Sequence, residues 1–335
     1  MVQVVHDIGR IGRGSDADPR AANCTAGQLE RCCTVLDSHP TTLAARWQRL
    51  RAAGLAWVTA NAISTSMEST FSLFDVECTV TERHSVIDEL CAIPEVVSIL
   101  DSASNRDLLL KVQTANLAEL GRKIVPMLTR IPGITKYEAS ICTRVHSEGH
   151  IWRLDALNRS QQAQLESLAA PITGPPYVLT ASDEGMVKCL IRDGRASSTQ
   201  IAREIGMHPT TVSRRLNRIL ASGVLSFRCE LSQLDSAFPV SCQWFAVVPP
   251  GQHQQAAEIL RSFRNLRLCA STTGTTNFTF VLWLRSVAEV MDVELAISER
   301  IPEIRFAESA VALAYPKRVG WLLDENGRAT RGVVT

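Results

Sequence analysis

Between residues 183 and 227, apolar positions recur in three short blocks at helical spacing. Met186, Val187, Leu190 and Ile191 mark one face from Asp183 to Arg192, and Asp193-Gly194-Arg195 breaks that helix. Ser197 with Gln200 three residues on forms a candidate capping box for the next helix, whose inner face is Ile201, Ala202 and Ile205 and whose stop is Gly206. His208-Pro209 opens a third helix, with proline where its missing N–H costs little. Val212, Leu216 and Ile219 supply its stripe, Gly223 ends it, and Val224 to Phe227 reads as a short strand, a candidate wing.

The pattern then changes. Trp244–Val248, Leu266–Ser271, Phe278–Leu284 and Ile304–Ala314 read as strands, with helices at His253–Phe263 and Val287–Arg300. The order β-α-β-β-α-β is ferredoxin-like. Phe71 to Val145 repeats it.

This recurrence extends to residues. His39-Pro40-Thr41-Thr42-Leu43-Ala44-Ala45-Arg46 returns as His208-Pro209-Thr210-Thr211-Val212-Ser213-Arg214-Arg215, and Ala53-Gly54-Leu55 returns at the same offset as Ser222-Gly223-Val224. Ile131-Pro132-Gly133-Ile134 returns as Ile301-Pro302-Glu303-Ile304, with the offset drifting by a single position. Two segments in register imply duplication of a whole module. The predicted fold class is therefore α+β, with tandem winged helix-turn-helix modules and ferredoxin-like (βαββαβ) sensor domains. The predicted boundaries are an irregular tail at 1–27, a degenerate winged helix-turn-helix at 28–66, a sensor and oligomerisation domain at 67–146, and a linker at 147–180. A winged helix-turn-helix at 181–235, a second sensor at 236–316 and a C-terminal tail at 317–335 complete the chain. Gln161 to Ala169 reads as a polar helix before the breaker cluster Pro171-Ile172-Thr173-Gly174-Pro175-Pro176.

A major-groove helix needs one face held by its own domain and donors on the other. Pro209 to Ala221 has both: Thr210, Thr211, Ser213, Arg214, Asn217 and Arg218 lie outside the apolar stripe, with Arg215 at its border. The early hydroxyls suit phosphates, Ser213 and Arg214 suit base edges, and Arg218 suits a phosphate. A merely solvated basic face is the plain alternative; the preceding helix, short turn and trailing strand argue against it. The first copy keeps Thr41, Thr42, Arg46 and Arg49 but has Ala44 and Ala45 where Ser213 and Arg214 stand. Gln28 to Leu36 can serve as its second helix, whereas Val2 to Ala22 lacks helical period. Gly9, Gly12 and Gly14 have no flanking strand and read as tail rather than phosphate loop.

Composition narrows the partners. The chain has 335 residues, 35 Lys and Arg against 34 Asp and Glu, and a net charge of +1, so double-stranded DNA must be met by locally clustered arginines. The apolar runs fall short of the roughly 18 residues a span requires. No secretory leader pattern opens the chain. A soluble cytoplasmic protein without a membrane partner is expected. The ten cysteines show no C-x-x-C pair, so reduced core thiols are expected, with neither metal nor cofactor.

Asp193-Gly194-Arg195-Ala196, Ile201-Ala202-Arg203-Glu204-Ile205-Gly206 and Thr211-Val212-Ser213-Arg214-Arg215-Leu216 resemble the N-terminal signature of the Lrp/AsnC (leucine-responsive/asparagine) regulators. The α/β segment resembles that family's effector-binding domain, so the resemblance runs twice from about Gln28 to Tyr315, as in fused double-length members. It implies DNA binding, sensor dimerisation, homo-oligomers, and a small-molecule effector, commonly an amino acid. It also implies an effector loop between the second and third sensor strands that carries a glycine and, a few residues later, an aspartate. Thr273-Gly274-Thr275-Thr276-Asn277 keeps the glycine and has Asn277 for the acid; Ala103-Ser104-Asn105-Arg106-Asp107 keeps the acid and loses the glycine. The expected effector residues are Thr273, Gly274, Thr275, Asn277, Ser104 and Asp107, although an ordinary turn explains either segment. The rival class is an enzyme, because fused proteins of this build also resemble siroheme decarboxylases. The sensor histidines weighed for that chemistry, His84 and His253, each fall near a helix start on the expected exterior. The sequence shows no Ser-His-Asp or paired-carboxylate constellation, and a non-enzyme is expected. A sensor that has lost DNA binding is the third reading.

Overall fold

The computed structural model describes residues 39–62, 69–148, 160–161, 163–164 and 174–334. Gly9, Gly12 and Gly14, the helix expected at Gln28–Leu36 and most of the 147–180 linker lie outside them. The chain divides into two compact units, 1–65 with 153–231 and 66–152 with 232–335.

In the first unit, helix α1 (Pro40–Ala52) leads into β1 (Ala56–Ala62). Helices α5 (Glu184–Arg192), α6 (Ser198–Ile205) and α7 (Pro209–Ser222) lead into β6 (Leu225–Leu231). The expected stripes are the core: Met186, Leu190, Ile201, Ala202, Val212, Leu216 and Ile219 are all buried. The Ser197 N–H donates to Gln200 Oε1 at 2.8 Å and the Gln200 N–H to Ser197 Oγ at 3.2 Å, which caps two orphan donors of α6. Gly206 and Gly223 end their helices in the left-handed region at φ 68° and 71°.

The two modules meet along an antiparallel seam in which Ala56 faces Leu231 and Ala62 faces Leu225. Thr59 Oγ1 donates to the Ile191 carbonyl at 2.7 Å, and the Gly194 N–H donates to the Val58 carbonyl at 2.8 Å. A Cβ at Gly194 would lie 2.7 Å from Val58 Cγ1, so this close approach needs glycine. Arg51 pairs with Asp193 at 2.7 Å, and Arg195 lies over the buried Trp47 ring at 5.2 Å. The breaker between α5 and α6 is thus also the contact with the first module.

The second unit runs through the β-α-β-β-α-β order twice. Its first half comprises β2 (Thr70–Cys78), α2 (Arg83–Cys91), β3 (Val96–Ala103) and β4 (Leu108–Thr114), then α3 (Leu117–Glu119) and α4 (Val125–Leu128) flanking a π-helical turn, and β5 (Ile134–Glu148). The turn has a local cause: Pro126 lacks an N–H and its ring excludes the carbonyl one turn back. The second half comprises β7 (Val240–Val247), α8 (His253–Arg261), β8 (Leu266–Thr272), β9 (Phe278–Leu284), α9 (Glu289–Arg300) and β10 (Arg305–Arg318).

Each last strand serves both halves. β5 pairs with β2 through Ile134–Ile141 and then with β8 through Cys142–Glu148. β10 pairs with β7 through Arg305–Val311 and then with β3 through Val311–Arg318. The two four-stranded sheets thereby close into one eight-stranded circuit and leave no edge between them. One core lies under each half's helices. A third, with Leu73, Leu100, Leu109, Phe245 and Ala310, lies between the sheets. β8 and β9 are buried along their whole length, including the polar Arg267, Ser271 and Thr272 of β8 and Thr279 of β9.

Two boundaries need correction. Residues 317–335, expected to be a tail, instead finish β10 and add β11 (Trp321–Leu323) and β12 (Ala329–Val333). Val319 and Gly320, at φ 51° and 80°, make the tight turn, and the wholly buried Lys317 donates from Nζ to the Cys91 and Ile93 carbonyls at 3.0 and 2.8 Å. Residues 232–235, expected in the helix-turn-helix module, belong to the second unit, where Asp235 pairs with Arg328 at 3.0 Å. The seven described cysteines form no disulfide, and burial pushes Cys142, Cys242 and Cys269 up to about 12.

Candidate nucleic-acid interface and sensor loops

The α6–turn–α7 arrangement fixes which side chains of α7 are presented. Val212, Leu216 and Ile219 turn inward, so Thr210, Arg214 and Arg218 are exposed, with Thr211 and Ser213 half-buried beside them. His208 Nδ1 lies 2.8 Å from Thr210 Oγ1 at the helix start, and His39 repeats the contact with Thr41 at 2.9 Å. In α1, Leu43 and Trp47 are buried while Thr41, Thr42 and Arg49 are exposed and Arg46 is half-buried. The two helices therefore present corresponding faces, and the second carries two additional polar positions.

Two residues expected on that face are turned inward. The Arg215 guanidinium lies 3.1 Å from Asp183, whose side chain is fully buried, and also donates to Ser182 Oγ. It therefore holds α7 to the start of α5. Burial alone would raise the Asp183 carboxyl; hydrogen bonds from Thr180 and Tyr177 and the Arg215 charge carry it below its usual range. Both Asn217 side-chain polar atoms are buried without a hydrogen-bond partner. Helical period placed Asn217 outside the stripe and Arg215 at its border, whereas Asp183, two helices earlier in the chain, decides where Arg215 goes.

The expected effector loops are largely engaged in their own turns. Asn277 Oδ1 accepts the Val248 N–H at 2.9 Å while its Nδ2 donates to the Val248 carbonyl at 2.9 Å. Thr273 Oγ1 accepts the Ile141 N–H at 2.9 Å. Asp107 accepts the Cys78 N–H at 2.7 Å and pairs with Arg83 at 2.9 Å; Ser104 hydrogen-bonds Ser102 at 2.8 Å. Gly274 and Thr275 stand exposed, Gly274 at φ 111°.

Two clusters escaped the sequence reading. Between the sheets, Arg106 lies 2.9 Å from Asp75, pairs with Glu308 and stacks 4.1 Å from the Phe245 ring centroid. Burial, offset only in part by the Arg106 charge, pushes the Asp75 carboxyl up to about 6. His253, expected on the exterior, is half-buried and faces Ser271, as does His146 near the end of β5. His146 and His253 belong to different repeats, and the pairing of β5 with β8 brings them together.

These elements define a helix-turn-helix unit joined to a paired α/β unit. Residues 179–219 match the AsnC-type helix-turn-helix domain, and residues 73–151 match the Lrp/AsnC ligand binding domain. Both matches are to domains of the Lrp/AsnC family, and together they cover part of the chain. It is 21% identical over 142 residues to the regulatory protein AsnC of Escherichia coli (strain K12), covering 42% of this chain and 93% of that one. It is 22% identical over 111 residues to the HTH-type transcriptional regulator LrpC of Bacillus subtilis (strain 168), covering 33% and 77%. The solved siroheme decarboxylase NirDL superimposes with a TM-score of 0.59 at 12% identity over 95% of this chain and 93% of that one, a likeness of fold. No described helix is long and apolar enough to cross a membrane, and no group of three or more described His, Cys, Asp or Glu side chains could hold a metal ion.

Proposed function

We propose that this protein is a DNA-binding transcriptional regulator, a tandem fusion of two Lrp/AsnC-type units whose paired sensors bind a small metabolite. The observation that carries the reading is α7, anchored by Val212, Leu216 and Ile219 and presenting Thr210, Arg214 and Arg218 together. Thr211 and Ser213 flank them, and Thr41, Thr42 and Arg49 give the first module a weaker surface of the same kind. The matched helix-turn-helix domain and the AsnC and LrpC relatives support it. The effector-loop assignment narrows to the exposed turn at Gly274 and Thr275.

Fluorescence anisotropy with genomic duplexes across a salt series tests the proposal, because released counterions make affinity fall steeply with salt. Arg218→Ala is expected to weaken every duplex alike and to lower the salt slope by about one, while Arg214→Ala relaxes sequence preference. Absence of duplex binding at low ionic strength would overturn the reading. A tetrapyrrole absorbance band on the purified protein would favour the enzyme class instead.

Self-association with a second copy has its own support. Val287, Met291 and Leu295 recur at every fourth position along α9 and its approach, and all three are exposed. Met291→Glu is expected to reduce the oligomer seen by light scattering; an unchanged mass would place the contact elsewhere.

A further inference from the structure

The sensor halves place three polar side chains at matching positions of the repeat, but with different charge. In the first, Arg83 donates to Asp101 and, at 2.9 Å, to Asp107, so the cation is closed between two carboxylates. In the second, His253, Ser271 and Asn277 stand at the matching places. Asn277 keeps the backbone clamp that Asp107 makes, accepting the Val248 N–H where Asp107 accepts that of Cys78. Both negative charges are gone.

Basic groups gather there instead. His253 Nε2 faces the Val248 carbonyl at 3.0 Å, so that nitrogen carries the proton and Nδ1 accepts the Ser271 hydroxyl at 2.7 Å. His146 Nε2, arriving on β5, then donates to the same oxygen at 2.7 Å. Arg261 Nη2 donates to the His146 carbonyl at 2.9 Å, and Arg144 lies on the same strand, two positions before His146. The Phe278 ring closes one side, its centroid 5.9 and 5.3 Å from the two imidazoles. Among the described residues, no carboxylate forms an ion pair with any of the four basic groups. Burial first, then the charges of Arg144, His253 and Arg261, hold His146 below its ordinary range. The lasting positive charge comes from Arg144 and Arg261, which lower the His146 pKa from nearby, and an anion bound among these groups would balance that charge and favour a protonated imidazole.

We propose that His146, His253 and Ser271, with Arg144 and Arg261, form a binding site for a small anionic metabolite bearing a carboxylate or phosphate group. This deepens the reading of the paired sheets as a small-molecule sensor and rests on it, while being independent of whether α7 meets DNA. The first half, already neutralised by Asp101 and Asp107, has no such site.

Inorganic phosphate titrated into the full-length protein at constant ionic strength, with the histidine ring signals followed by NMR, tests it. Saturable shifts of His146 and His253 are expected, with the His146 titration midpoint moving up as phosphate binds. Ser271→Asp restores the acid that the first half has at Asp101 and is expected to weaken binding by about tenfold or more, roughly 1.4 kcal/mol or more. His146→Gln, which keeps a donor but no charge, is a second variant should Ser271→Asp misfold, and is expected to weaken binding likewise. Shifts absent in the parent protein, or equally strong in both variants, would overturn the site. Loss of the site with salt-dependent duplex binding intact would leave the regulator reading standing. The converse outcome, phosphate bound and duplex ignored, would do the reverse.

Discussion

The second helix-turn-helix keeps Ser213 and Arg214 where the first has Ala44 and Ala45, and it is the copy that matches the AsnC-type domain. The first sensor keeps Asp101 and Asp107 where the second has Ser271 and Asn277, and it is the copy that matches the ligand binding domain. The helix-turn-helix pair and the sensor pair thus differ in opposite senses, the second copy carrying the extra polar positions in one and the first copy the extra acids in the other. What both keep is packing: Leu43, Trp47 and Leu50 stand where Val212, Leu216 and Ile219 stand, and the strand pairings of one sensor reappear in the other. A lost polar contact on one copy leaves the core intact, whereas a lost core residue destabilises the unit that both copies share.

The largest expected effect tests that shared packing. Trp47→Ala removes the buried ring beneath Arg195 and should cost about 3–5 kcal/mol of stability, read as a lower melting temperature. A change no larger than that of an exposed site would show that the first module is not part of a common core.

Asp75 sharpens the comparison between sensors, since its counterpart in the second repeat is Phe245. An acid whose folded pKa is raised favours folding below its unfolded value near 4 and loses that advantage as pH climbs through about 6. Stability should therefore decline between about pH 4 and 6 on this account, and Asp75→Asn should flatten the profile and gain roughly 1–3 kcal/mol at pH 7.5. Denaturant melts at the two pH values measure it; a loss at neutral pH would mean that the Arg106 pair outweighs burial.

On the DNA side, Arg214→Ala should lower discrimination between preferred and scrambled duplexes by about 1–2 kcal/mol, while Arg49→Ala in the first copy should change it little. Equal losses from both would erase the distinction drawn between the modules. The smallest effect is expected at the terminal hairpin, where Val319→Asn relieves a left-handed backbone at φ 51° and should raise stability by about 1 kcal/mol.

The legible part of the structure was what depends on neighbours in sequence. Ser197 and Gln200, three apart, cap α6 as expected, and Gly206 and Gly223 stop their helices. The terminal hairpin was not legible, because Lys317-Arg318-Val319-Gly320 looks like a charged exit until the Cys91 and Ile93 carbonyls are placed above Lys317. Nor were the histidines: His146 and His253 belong to different repeats, and only the crossing of β5 onto β8 sets both against Ser271.

By itself the sequence determined periodicity, capping, the α+β order and the repeat, since each arises from forces acting within a turn or a strand. Tertiary structure alone decided which charges meet: Arg215 with Asp183, Arg106 with Asp75 and Glu308, two imidazoles with one hydroxyl. A side chain's partner is set by distance in space, and in a chain whose last strands each cross to the other sheet, that distance bears little relation to position along the polymer.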